Sequence, residues 1–414
     1  MLTTQGTTRR RLLICEQILI IFYLIAYVAA GSDTYAILKQ KAGWLQDLRY
    51  YERAVNDATQ GPGPYTVLAI GPGFLYPPPS LLLIEPLKDI KREETKVRVV
   101  NAINFLVVGG IIWGLIRYFR LSHLRMWYWY VLGFFYAPLH ESAYLGQINV
   151  VPLCGLALFF LCLDRRWFIS GLGLAIATLT KVSPGIFLVY ALIGRSWRVI
   201  AAAMVSALAL CGVTALKYGL APFLEYPSVL RWLSKQVPLG INPQSFEARM
   251  VWLQQITVTQ PESFGWLSPI VIYCHDTFAH QRGLAWYLSG ILLLTSFFLY
   301  RSKEERAPSF AIFGLAMTLA PNVMWYHHYT FLILPLLVWM GYAKLAPQVV
   351  YWCLLGMLII QVDRWALTHG LLIHVFAHLS LLAILAGQAS RCYVTERLAR
   401  AYASPSARQA SVCE

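Results

Sequence analysis

The chain has 414 residues, of which 58% are hydrophobic and only 13% charged, with a formal net charge of +14 at pH 7. An ordinary soluble domain is about 45–50% apolar and about 25% charged, so the composition excludes that class and defines a polytopic membrane protein. The basic residues stand in short groups at the ends of apolar runs, as the positive-inside bias requires, so the charge marks topology and implies no nucleic-acid partner.

In chain order, the N-terminal stretch "MLTTQGTTRRRLLICEQILIIFYLIAYVAAGSD" joins Arg9, Arg10 and Arg11 to an apolar run of about twenty residues, longer than the roughly 7–15 of a signal-peptide core. It reads as a retained first span with its arginines cytoplasmic. Further spans are expected near Val99–Ile116, Trp127–Leu139, Ile148–Leu163, Phe168–Thr180, Val182–Gly194, Val199–Leu216, Leu284–Tyr300, Ser309–Ala320, Tyr329–Leu345, Val349–Ile360 and Leu371–Gln388. With Leu13–Gly31 this gives an all-α bundle of about twelve spans, several shorter than the ~20 residues of an ideal crossing. Alternating sides from a cytoplasmic start puts "RYFRLSHLR", "DRRW", "GRSWR", "RSKEER", "YAKLAP" and the tail "SRCYVTERLARAYASPSAR" inside. Both termini are then cytoplasmic, with one membrane domain over 1–395 and a polar tail over 396–414.

One segment resists this scheme. "KDIKREETKVR", Lys88 to Arg98, falls outside despite five basic residues. Making the preceding "GFLYPPPSLLLIEPL" a full span would remove the conflict but flip every later loop. That run is about fifteen residues long and opens on three prolines, so a half-inserted or surface helix is the better reading. Two long outer loops follow from this topology, about Ser32–Arg98 and Lys217–Gly283, both rich enough in aromatics to pack on the membrane surface. The eight cysteines are scattered without a CxxC pair, so neither a zinc site nor a disulfide framework is indicated.

The polar residues that invite chemistry all fall on the outer side. "QDLRYYERAVNDATQGPGPY" places Asp47 at the start of an apparent helix whose positions Leu48, Tyr51, Ala54, Val55 and Ala58 follow helical spacing. An acid at a helix start is often only a cap, and Asp33, Glu52 and Asp57 are rivals within the same loop. "ESAYLGQINVVP" supplies Gln147 and Asn149, two amides that interhelical bonding alone would explain. Lys181 in "TLTKVSPG" is either a snorkelling anchor or an anion ligand. "LGINPQSFEARMVWL" carries Asn242, Gln244, Ser245 and Arg249, a cluster whose plain reading is a helix cap. "APNVMWYHHYTFLILP" sets His327 and His328 beside Trp325 and Tyr326 at the outer end of a span. Adjacent ring systems there point different ways and both need partners, which a phosphate would provide.

In order, these motifs resemble the membrane glycosyltransferases of family 87, of the GT-C fold, which include polyprenyl-phosphate-mannose-dependent mannosyltransferases. The resemblance runs from "DLRYYERAVNDATQGPGPY" through "FLYPPPSLLLIEPL", "LGQINVVPLCGLAL", "LTKVSPGIFL" and "INPQSFEARMV" to "APNVMWYHHYTFLILPL", roughly Leu13 to Leu345. Pro243 inside the Asn-Gln-Ser motif and the charged "KDIKREETKVR" are departures from its pattern. The resemblance implies a transferase taking a hexose or pentose from a polyprenyl-phosphate donor to a lipid or glycan hydroxyl. It puts Asp47 in the catalytic-base position and His327, His328, Lys181 and Arg249 near the donor phosphate. Tyr51, Tyr76, Gln147, Asn149, Asn242, Gln244, Ser245 and Trp325 become substrate contacts. No cofactor is implied, and a divalent metal is left open. Glycosyl transfer through an oxocarbenium-like transition state needs a base for the acceptor proton and compensation for the departing phosphate, and the set supplies both. The rival reading is a transporter or flippase of lipid-linked sugars, which would place ionisable groups near the midplane. The predicted span cores are almost free of charge, Glu16 being the exception.

Overall fold

The computed structural model describes residues 18, 20–32, 44–65, 67–68, 71–72, 74–235, 282–321, 326–344, 346–362 and 371–402. Apart from a two-residue antiparallel pair, β1 (Val67–Leu68) with β2 (Gly71–Pro72), every regular element among them is helical. The helices are α1 (Ile20–Ser32), α2 (Gln46–Gln60), α3 (Leu81–Lys88), α4 (Glu93–Tyr118), α5 (His123–Phe134), α6 (Ala137–Leu145), α7 (Val150–Cys162) and α8 (Trp167–Thr180). They continue as α9 (Ile186–Ile193), α10 (Trp197–Tyr218), α11 (Ala221–Lys235), α12 (Arg282–Arg301), α13 (Arg306–Leu319), α14 (Ile333–Tyr342), α15 (Pro347–Val362) and α16 (Leu371–Tyr402). Short 3-10 turns at Pro78–Ser80, Ser183–Gly185 and Tyr326–Leu332 precede α3, α9 and α14.

Each of the twelve apolar segments contains helix where it is described, several with turns at or near their ends and one with an internal break. Among the described residues, four helical stretches are long and apolar enough to cross a membrane alone: Glu93–Tyr118, Trp197–Tyr218, Leu284–Arg301 and Leu372–Thr395. Ile20–Ser32, Val150–Cys162, Trp167–Thr180, Ser183–Ile193 and Pro347–Val362 are apolar but shorter, so length and composition alone do not reach twelve crossings. Leucines at the outside of the long helices, such as Leu106, Leu208, Leu216 and Leu293, are exposed, which suits hydrocarbon rather than water. At the centre runs α13, whose residues from Ala307 to Leu319 are all buried; a helix apolar on every side belongs in a core.

The expected span Trp127–Leu139 is broken. α5 ends at Phe134, Tyr136 is extended, and Pro138 lies in the first turn of α6, where its missing N–H is harmless. The backbone groups freed by the break are met by the fully buried Gln361 of α15, which accepts from the Ala137 N–H at 2.9 Å and donates to the Phe135 carbonyl at 2.6 Å. This is how irregular backbone survives inside a bundle.

α7 and α8 run antiparallel at glycine-to-glycine contact. A Cβ on Gly155 would lie 2.4 Å from the Gly173 carbonyl oxygen, and one on Gly173 would lie 2.6 Å from that of Gly155. Only small residues allow this approach. It holds the start of α7, with Asn149, beside the end of α8, with Lys181.

A second, smaller apolar cluster sits against this bundle. Leu48, Tyr51, Ala54 and Val55 form one face of the amphipathic α2 and pack with Tyr65, Phe74, Tyr76, Leu81, Ile84 and Val100. The segment "KDIKREETKVR" is no loop: it ends α3 and opens the 26-residue α4. Its charge is partly matched by α2, through Lys96 to Glu52 and Arg49 to Glu93, each 2.5 Å. The helix α16 runs to Tyr402, so the start of the expected polar tail continues a helix.

Candidate active site

The site forms where the small cluster meets the bundle. Asp47 lies in the first turn of α2, behind a left-handed Leu45 whose N–H is held by the Tyr144 carbonyl at 2.8 Å. Leu45, not Asp47, occupies the N-cap and makes no side-chain cap bond. The capping explanation for Asp47 is thereby excluded. Its carboxylate is half-buried, and Oδ2 accepts a hydrogen bond from Gln147 Nε2. Burial raises the Asp47 pKa to about 6, against the opposing pull of the Gln147 bond and of the Lys181 charge.

Gln147 in turn accepts from the Tyr76 hydroxyl at 2.6 Å, and that hydroxyl lies 3.0 Å from the hydroxyl of Tyr51. Tyr76 stands just before the three prolines, and its carbonyl accepts from the Tyr65 hydroxyl at 2.8 Å. Burial pushes the Tyr51 and Tyr76 phenols well above their usual range, so both stay protonated.

Lys181 occupies the extended turn between α8 and the 3-10 turn before α9. Its Nζ donates to Asn149 Oδ1 at 2.8 Å and lies 5.7 Å from the Tyr76 ring centroid and 5.2 Å from that of Phe331. Burial lowers its pKa to about 7, with the Asp47 charge acting in the opposite sense. Asn149 Nδ2 donates to the His327 carbonyl at 3.2 Å, which also accepts from the Thr330 hydroxyl at 2.7 Å. Both histidines are buried in the 3-10 turn, their rings perpendicular with centroids 4.5 Å apart. The two rings thus meet edge to face, and His328 lines the cavity.

That cavity has a volume of about 150 Å³ and is bounded by Tyr76, Lys181, Ser183, Tyr226, Thr318 and His328, with apolar walls from α11 and α13. The structure thus joins eight of the predicted residues into one assembly: Asp47, Tyr51, Tyr76 and Gln147 on one side, Asn149, Lys181, His327 and His328 on the other. Arg249, Asn242, Gln244, Ser245 and Trp325, and the rival Asp33, lie outside the described residues. The other rivals are engaged elsewhere. Glu52 is bonded to Lys96, and Asp57 lies ten residues further along α2, about 15 Å from Asp47 by helical rise.

Two residues escaped the sequence reading. Tyr226 of α11 lines the cavity and lies 5.6 Å, centroid to centroid, from the ring of Tyr65. Tyr65 closes the quoted first-loop motif, whereas Tyr226 lies in a stretch of the second loop that carries no motif. Among the described residues no group of three or more His, Cys, Asp or Glu side chains is placed to hold a metal ion.

The apolar helices define an integral membrane protein, and the polar assembly lies at one end of its bundle. The chain belongs to glycosyltransferase family 87, whose model matches residues 74–321. That match contains Tyr76, Gln147, Asn149 and Lys181; Asp47, His327 and His328 lie beyond it and join the site through geometry. The chain is similar to the polyprenol-phosphate-mannose-dependent alpha-(1-2)-phosphatidylinositol pentamannoside mannosyltransferase of Mycolicibacterium smegmatis, with 25% identity over 66% of this chain and 62% of that protein. Similarity to the Mycobacterium tuberculosis protein of the same description is 23% over 71% of this chain and 65% of that protein. The matched region therefore spans less than two thirds of either relative.

Proposed function

We propose that the protein is a membrane glycosyltransferase that moves mannose, or a closely related sugar, from a polyprenyl-phosphate carrier to a hydroxyl of a glycolipid or glycan. The observation that carries this reading is an acid joined through neutral groups to a cation at the cavity wall: Asp47 bonds Gln147, Gln147 bonds Tyr76, and Tyr76 and Lys181 both line the cavity. Asp47 meets an amide and Lys181 meets an amide, and among the described residues neither forms a salt bridge. The relatives' dependence on polyprenol-phosphate-mannose supplies the donor class by similarity.

In this mechanism the bond from the sugar C1 to the phosphate oxygen breaks, and a bond from C1 to the acceptor oxygen forms. The acceptor proton passes to Asp47, whose pKa of about 6 leaves it ionised at neutral pH yet basic enough to act. The polyprenyl phosphate departs with one more negative charge than it carried as a diester. Lys181 and His328, both on the cavity wall, meet that charge. Arg249 and His327 complete the phosphate-binding group in this reading, and Asn149 holds Lys181 against the histidine turn.

The topology belongs to the same proposal. About twelve crossings within one membrane domain over 1–395 leave both termini cytoplasmic and the Asp47 loop extracytoplasmic, where lipid-linked donors arrive by lateral diffusion. Membranes carrying the protein, supplied with radiolabelled polyprenyl-phosphate mannose and a phosphatidylinositol mannoside, should transfer label to the glycolipid. No consumption of this donor, with or without other glycolipid acceptors, would overturn the donor assignment. Cysteines introduced at Gly61 and Ala407 should respectively react with and resist an impermeant thiol reagent in intact cells; the reverse pattern would overturn the topology.

A further inference from the structure

The hydrogen bonds around Asp47 form a chain that leaves α2 and returns to it, so that the helix itself closes the ring. Asp47 and Tyr51 stand at i and i+4 on α2, hence on one face of the helix. From Asp47 the ring runs to Gln147, from Gln147 to Tyr76, and from Tyr76 back to Tyr51. An ionised carboxylate can only accept, so Gln147 must present its NH2 to Asp47 and its carbonyl to Tyr76. The Tyr76 hydroxyl spends its single proton on that carbonyl. The bond between the phenols is then fixed in direction, with Tyr51 donating to Tyr76. All the donors of the ring point the same way, towards Asp47 Oδ2.

We infer that Gln147, its amide orientation locked by Tyr76 and Tyr51, is a positioning residue that ties down Asp47 Oδ2 and leaves Oδ1 as the oxygen that takes the acceptor proton. In this account Gln147 acts on the base rather than on the substrate, with its carbonyl and one N–H engaged within the protein. The ring has a second effect: a donor aimed at the ionised carboxylate holds down a pKa that burial would otherwise raise further. Bonds aligned in one direction reinforce each other, so Tyr51, which does not border the cavity, acts on Asp47 through two intermediaries. This inference rests on the proposed role of Asp47 as base.

The test is the pH dependence of kcat for full-length protein in detergent, with polyprenyl-phosphate mannose and a phosphatidylinositol mannoside acceptor. The wild type should lose activity below an apparent pKa near 6. In Gln147→Leu the acidic limb should move up by about half to one pH unit, the loss of one neutral hydrogen bond to the base. In Tyr51→Phe, which keeps the ring packing, it should move the same way by a few tenths of a unit with both KM values unchanged. An unmoved limb in Gln147→Leu with a raised acceptor KM would make Gln147 a substrate contact and overturn the inference. If Gln147→Leu does not fold, Tyr51→Phe decides, and an unmoved limb there is equally fatal. Asp47→Asn in the same assay separates the two claims: an inactive Asp47→Asn with unmoved limbs sinks the positioning role alone, whereas an active one sinks the base itself.

Discussion

The two ends of α7, α8 and α13 treat charge in opposite ways. At the end remote from the cavity, carboxylates meet guanidinium groups directly. Arg391 grips Glu305 with two bonds, at 3.1 and 2.9 Å, and Arg306 pairs with Asp164 while its carbonyl accepts from the Tyr190 hydroxyl at 2.9 Å. At the cavity end, Asp47 and Lys181 are each held by an amide. Helical rise puts about 20 Å between the ends of α7. At the remote end opposite charges meet directly, while Asp47 and Lys181 are, among the described residues, oriented by neutral groups. The proposed base and phosphate ligand thus differ from the remote ion pairs in kind of partner, a difference that mutation can test.

The largest effect should come from the cavity end. Asp47→Asn keeps size and hydrogen bonding but cannot accept a proton, so transfer should fall about 10²–10⁴-fold. Asp57→Asn, at the far end of the same helix, should stay within about twofold of wild type in the same transfer assay. Next come Lys181→Ala and His328→Ala. Removing one group that stabilises developing charge typically costs about 2.7–4 kcal/mol, or 10²–10³-fold in rate. Assays at low donor concentration should reveal the loss, and wild-type turnover in both variants would remove the phosphate site from this cavity.

The remote end should behave in the reverse sense. Glu305 is buried and Arg391 partly exposed, so Glu305→Gln should cost between the ~1 kcal/mol of a surface pair and the ~3–5 kcal/mol of a fully buried one. A lower melting temperature with transfer per folded molecule unchanged is the expected result. If Glu305→Gln instead lost transfer at full stability, the division between the two ends would fail.

The smallest effect is thermal. The folded-state pKa of Asp47 is raised from 3.8 to about 6, so the folded protein binds the proton more tightly than the unfolded chain. The stability this proton provides is fully present below about pH 4 and is lost as pH rises through 6. Above that the buried charge is a constant penalty, at most about 3 kcal/mol. Asp47→Asn should therefore melt above wild type at pH 7–8, and the gap should close by pH 4. An equal gap at all pH values would mean that the carboxylate is not the source.

The helices were legible because apolar runs of this length have no other use, and Asp47, Gln147, Lys181 and the histidines were legible through motifs in a fixed order. Their connections were not. Asp47 meets Gln147 across 100 residues and Asn149 meets the His327 carbonyl across 178, and nothing in local spacing encodes such pairings. Gln361 is the sharper case. A glutamine in an apolar helix near the end of the chain gave no sign that it closes a helix break 224 residues earlier, because the break itself, at Phe135 and Tyr136, was read as one continuous span. Tyr226 was missed for the same reason: its value lies in the ring of Tyr65 and the cavity beside it.

The central claim is that Asp47 acts on the proton and not on the binding of the donor. Purified Asp47→Asn in nanodiscs, titrated with radiolabelled polyprenyl-phosphate mannose, measures binding; the same samples with a phosphatidylinositol mannoside measure single-turnover transfer. Donor affinity within about threefold of wild type, with transfer reduced 10²–10⁴-fold, is the predicted result. Binding and transfer lost together, or transfer near the wild-type rate, would contradict it.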